Sequence, residues 1–149
     1  MVGTNWGAKQ YRRARAIAWT GGATVALACA AVGIFCAVFP RSWMGLFSDD
    51  AEVIRLGSHY LAIVGPAYGF YGLGMALYFA TQGLGRVLST VAANALRLLA
   101  SSGGALVAIY WLDLGATGFF VAIACGFCAY AALTAGALLA VKEPADALR

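Results

Sequence analysis

The chain has 149 residues, 62% of them hydrophobic and only 11% charged, whereas an ordinary soluble domain is roughly a quarter charged; the composition is that of a membrane protein. Ten Lys and Arg against six Asp and Glu give a formal net charge of +4, but most of the basic residues lie between long apolar runs, a distribution that reports topology rather than nucleic-acid binding. Collagen-like and disordered readings are excluded as well, since the 19 glycines follow no period and the chain is far from polar.

Four apolar runs follow one another. The first, Ala16 to Phe39, carries no charge and is stopped by Pro40 and Arg41, long enough to cross about 30 Å of hydrocarbon at about 1.5 Å per residue. The second runs from about Tyr60 to Ala80 and contains Pro66 among several glycines; the proline ring removes one backbone donor and clashes a turn back, so a kink is expected there. The third, Val87 to Leu112, spans by length but has Asn94 and Arg97 in its first half, and Asp113 closes it. The fourth, Thr117 to Val141, is free of charge up to Lys142. The expectation is an all-α membrane protein with four transmembrane helices, at about 16–39, 60–80, 87–112 and 117–141.

Short cytoplasmic loops keep Lys and Arg, and translocated ones lose them. Lys9, Arg12, Arg13, Arg15, Arg86, Arg97, Lys142 and Arg149 fall on one side of the four runs, and Arg41 and Arg55 on the other, next to Asp49, Asp50 and Glu52. Eight against two puts both termini in the cytoplasm. Trp43, Trp111, Tyr60 and Tyr110 then sit at the outer boundary and Trp19 near the inner one, at headgroup level. The first run is too long for the apolar core of a signal peptide and no convincing small-x-small site follows it, so it is read as retained.

Few residues suggest chemistry. Cys125 and Cys128 have redox or metal spacing, but with Cys29 and Cys36 they lie inside the apolar runs, where a thiolate is disfavoured, and His59 stands alone. The chain has no nucleophile–His–acid order or paired carboxylates, and Gly83-x-Gly85 does not follow the strand that a phosphate loop requires. No enzyme, cofactor or metal site is expected. Asn94, Arg97 and Ser101 form a polar stripe on the third run. Arg97 has two readings: a cavity-facing cation, because charge at membrane depth is costly, or a snorkelling side chain reaching the cytoplasmic headgroups. Tyr68 and Tyr71, with Phe70, Tyr78 and Phe79, are candidates to line a path for aromatic or cationic ligands, with lipid-facing or core packing as the alternative. Gly72, Ala76 and Ala80, and likewise Gly118, Ala122 and Gly126, form small-residue seams that mark close helix packing and suggest partners beyond this chain.

The opening Gly3-Thr4-Asn5-Trp6-Gly7-Ala8, followed by Arg13-Ala14-Arg15, resembles a segment of the multidrug and toxic compound extrusion (MATE) family of antiporters. The stretch from Phe47 to Leu61, Gly65-Pro66, Gly72-Leu73-Gly74 and Gln82-Gly83-Leu84-Gly85 is similar to that family's link into its tenth helix and the turn after it, and Asn94, Leu96, Arg97 and Leu114 to Gly118 look like its eleventh helix and the turn into the twelfth. The resemblance runs along essentially the whole chain. It implies that the four runs correspond to helices nine to twelve of a twelve-helix transporter, part of a six-helix C-lobe, with the N-lobe and helices seven and eight absent.

Further expectations follow from the resemblance: location in the plasma (inner) membrane, and export of amphipathic or cationic small molecules in exchange for Na⁺ or H⁺. No Asp or Glu lies between Glu52 and Asp113, so no coupling residue is assignable here. Asn94, Arg97, Ser101, Tyr68 and Tyr71 are the candidate cavity-lining residues. Two other functions stay open, a portion of a lipid-linked oligosaccharide flippase and a small four-helix scaffold that dimerises through its seams.

Overall fold

The computed structural model describes residues 1–85, 87–111 and 113–141. A short helix α1 (Val2–Gly7) precedes α2 (Tyr11–Val38), and Lys9, at a φ of 60°, makes the turn between them. The first long helix therefore starts a turn before the apolar run, taking Arg12, Arg13 and Arg15 into its opening turns. It stops where Pro40 begins the five-residue α3 (Pro40–Met44), since proline fits the first turn of a new helix but cannot continue an old one.

The second apolar run differs most from expectation. Its helix, α4 (Ala51–Val64), begins well before Tyr60 because Asp50 caps it: Asp50 Oδ1 accepts from the Glu52 N–H at 2.8 Å and the Val53 N–H at 3.3 Å. A 3-10 turn over Gly65–Ala67 then interrupts the helix around Pro66, and α5 (Tyr68–Gly83) completes the crossing. The expected kink is a local tightening of the backbone, at the residue that cannot donate to a carbonyl one turn back. α6 (Val87–Tyr110) and α7 (Gly115–Leu139) are joined by a tight turn with Asp113 at φ 50° and Gly115 at φ 53°, the left-handed region that Gly, and to a lesser degree Asp, tolerates. The last helix thus starts and ends two residues earlier than the apolar run suggests. No strand occurs among the described residues.

α2, the stretch Ala51–Gly83 and α7 are each long and apolar enough to cross a membrane, and α6, 24 residues long, covers about 36 Å. α5 lies centrally, packed on α2 along one side and on α7 along the other, and α7 in turn carries α6.

Backbone proximity sets these pairings. A Cβ on Gly65 would lie 2.6 Å from the Gly33 carbonyl oxygen, so α2 touches the 3-10 turn backbone to backbone. A Cβ on Gly72 would lie 2.7 Å from Cys29 Sγ, and Gly126 takes the Ser101 side chain against its bare backbone. The seam at Gly72 thus meets α2, and the Gly118–Gly126 seam meets α6. Both have partners inside the chain.

At one end Ala18, Leu77, Ala80, Leu84, Leu138 and Val141 form a buried cluster, flanked by Val2 and Trp6 of α1. Arg15 closes this end by donating from its guanidinium to the Val141 carbonyl just past α7, a cation placed where the helix leaves carbonyls unpaired. Thr81 and Thr134, both fully buried, donate to the carbonyls of Leu77 and Tyr130 at 2.8 Å, which satisfies hydroxyls that lipid cannot. At the other end Trp43 of α3 packs against both Phe35 and Phe47, and His59 and Tyr60 meet Phe120 edge-on.

Candidate functional site

Between α2, α4, α5 and α7 lies a groove of about 500 Å³, lined by Ala28, Cys29, Val32, Tyr60, Tyr68, Tyr71 and Phe127. Helix geometry explains its aromatic wall: Tyr68 and Tyr71 stand three residues apart on one side of α5, and Phe127 of α7 meets them at ring-centroid distances of 6.3 and 4.9 Å. Small side chains on α2 leave the facing side open.

Tyr71 joins this groove to Arg97. The guanidinium carbon lies 5.9 Å from the Tyr71 ring centroid and 5.2 Å from that of Tyr130, and the two rings are themselves 6.3 Å apart. Arg97 Nε donates to Asn94 Oδ1 at 3.2 Å, one turn earlier on α6. Arg97 lies about 15 Å along the helix axis from Val87 and about 20 Å from Tyr110, and its side chain ends against rings of α5 and α7. A guanidinium at membrane depth costs about 2.5–3.5 kcal/mol on insertion scales, and two cation–π contacts of about 0.5–2 kcal/mol each offset much of that. No carboxylate pairs with it among the described residues.

The five residues singled out in the sequence therefore separate. Tyr68 and Tyr71 line the groove, Asn94 and Arg97 stand behind Tyr71, and Ser101 lies against Gly126 as helix packing. Tyr60, which the sequence marks only as a boundary aromatic, completes the arrangement with Phe127 and Tyr130, which nothing in the sequence distinguishes. Tyr130, only 2% exposed, occupies space left by Gly74, where a Cβ would lie 2.8 Å from its Cε1. Phe127 and Tyr130 share one side of α7 at helical spacing, but α7 is apolar all round, so hydropathy marks no face on it.

The cysteines are dispersed: Cys36 is buried, Cys29 faces Gly72, and Cys125 and Cys128 are exposed on α7. No group of three His, Cys, Asp or Glu side chains gathers among the described residues. Arg86, Lys142 and Arg149, counted in the charge balance, lie outside the described residues.

Fold and site together define an all-helical membrane protein with an aromatic groove between its spans and a cation held behind the groove wall. The sequence matches the MatE family model over residues 1–107, and the chain belongs to that family, whose members are transporters rather than enzymes. The match covers α1 to α5 and most of α6; α7 lies beyond it, so the family model reaches less far than the resemblance read along the whole chain. No curated protein and no solved structure matches the chain.

Proposed function

We propose that these helices form part of a MATE-type efflux antiporter that exports amphipathic organic compounds, organic cations among them, in exchange for Na⁺ or H⁺ across the plasma membrane. The observation that carries this reading is the groove itself: it is largely apolar, large enough for a small aromatic compound, and walled by tyrosines whose faces accept flat or cationic groups. Membership of a transporter family supports it. The spans between Glu52 and Asp113 hold no carboxylate, so coupling to the ion is assigned to helices outside this chain. Alternating access needs a second wall to rock against, and these helices work with others, corresponding to an N-lobe and to helices seven and eight.

The reading is tested with ethidium in a drug-sensitised host. Cells whose membranes contain these helices together with the complementary lobe are expected to accumulate less ethidium than control cells. An agent that collapses the Na⁺ or H⁺ gradient should restore accumulation. Ethidium levels unaffected by the transporter at verified membrane abundance would overturn the proposal.

A further inference from the structure

At the end of the bundle away from α1, a second groove of about 510 Å³ runs between the α3 region, α4 and α7. Val53, Leu56, Gly57, Tyr60 and Leu61 line it at the i, i+3, i+4, i+7, i+8 spacing of one face of α4. Met44 and Phe47 face that stripe, and Phe120 of α7 forms the remaining wall. Gly57 lets α3 come close, since a Cβ there would stand 2.7 Å from Met44 Sδ. From Ala51 to Leu61 the helix rises about 15 Å, half the thickness of a bilayer's hydrocarbon.

The surface beside the groove is equally apolar. Leu46 and Phe47 are 75% and 71% exposed, and Val32 and Phe35 are exposed on the neighbouring span α2. The Phe35 and Trp43 rings, 6.3 Å apart, make that lipid-facing side continuous with the mouth of the groove. Charge gathers at the rim. Arg41 stands one turn before Met44 on α3, exposed and without a carboxylate partner among the described residues, whereas Arg55 is held by Glu52 at 2.6 Å. Asp49, Asp50 and Glu52 outnumber Arg41 and Arg55, so the rim disfavours a headgroup of net negative charge. Its free guanidinium suits one phosphate, and its carboxylates suit an ammonium.

We propose that this groove binds a zwitterionic phospholipid of the adjoining leaflet, with one acyl chain along α4 and the phosphate at Arg41. An apolar channel one leaflet deep, open to a lipid-facing surface and rimmed by charges of both signs, matches such a molecule at both its ends. The inference does not depend on what the protein transports.

The test is native mass spectrometry of the purified chain released from nanodiscs of equal parts phosphatidylethanolamine and phosphatidylglycerol. The chain is expected to retain one phosphatidylethanolamine at least about fivefold more often than one phosphatidylglycerol. Arg41→Gln, and Leu56→Trp, whose larger ring fills the groove, should each lower that retention by about the same factor. Leu27→Trp, on the exposed side of α2, should leave it unchanged. Equal retention of the two lipids, retention unchanged in either groove variant, or an equal loss in Leu27→Trp overturns the proposal. A second readout uses the wild-type chain in intact nanodiscs: phosphatidylethanolamine carrying a nitroxide midway along one chain should broaden the Trp43 indole N–H resonance, identified by its loss in Trp43→Phe, more than nitroxide phosphatidylglycerol at the same fraction. Equal broadening is fatal to the proposal. Retention that persists when the complementary lobe is assembled upholds a lipid site, and its disappearance overturns that assignment in favour of another helix.

Discussion

Gly74 decides whether Tyr130 can reach Arg97. A methyl group there would meet the Tyr130 ring at 2.8 Å from Cε1, and the ring is too buried to swing into open space. Gly74→Ala is expected to destabilise the fold by about 1–3 kcal/mol, the usual cost of overpacking. It should cost much less in a Tyr130→Ala background, as measured by denaturant unfolding in detergent across the double-mutant cycle. The same cost in both backgrounds would show that Gly74 accommodates something other than the ring. At this scale the sequence exposes Asn94 and Arg97 readily, since polar side chains at helical spacing stand out in an apolar run. It does not expose Tyr130, because α7 is apolar nearly all round and hydropathy marks no face on it.

The interrupted helix α4–α5 is legible in part. Pro66 announces a break, because a missing donor is a covalent fact that does not depend on what lies nearby. What the break is packed against depends on α2, which lays Gly33 onto Gly65 so closely that neither can carry a side chain without displacement. Gly33→Ala is therefore expected to destabilise by about 1–3 kcal/mol. Gly21→Ala and Gly136→Ala are the controls: nothing lies within 4 Å of an added Cβ at either position, and a helical Gly→Ala change stabilises by up to about 1 kcal/mol. Equal destabilisation at all three positions, measured by thermal unfolding in detergent, would contradict the close approach of α2 to the turn. Capping explains the early start of α4: Asp50 is polar and looks like loop in a hydropathy profile, yet its carboxylate holds the first turn of the helix.

Across the molecule, α1, the start of α2, the end of α5 and the end of α7 meet at one face, and the α3 region, the start of α4 and the α6–α7 turn lie toward the other. Lys9, Arg12, Arg13 and Arg15 all belong to the first face, Arg41 and Arg55 to the second. With positive charge retained inside, a fluorescent protein fused at either terminus is expected to fold in the cytoplasm. Alkaline phosphatase is expected to be active when inserted between α3 and α4 or in the turn near Asp113, and inactive at either terminus. Phosphatase activity at a terminus would reverse the orientation. The seams behave differently from the charges at this scale. Read alone they suggest an outside partner; α2 and α6 approach them from within at Gly72 and Gly126, and grooves of about 400 and 420 Å³ stay open along Ala76–Ala80 and Gly118–Gly126.

The sequence by itself determined the membrane class, the helical content, the positions of four apolar runs, the asymmetry of charge between their ends and the break at Pro66. Each follows from local composition or from the covalent chemistry of one residue. Only the tertiary structure decided that α5 lies between α2 and α7 with α6 on the far side of α7, that Gly33 meets Gly65, and that Arg97 ends between Tyr71 and Tyr130. A helix that is apolar on every side can present any face to its neighbours. The face it does present is selected by which small residues let two backbones approach, and that selection joins positions far apart along the chain.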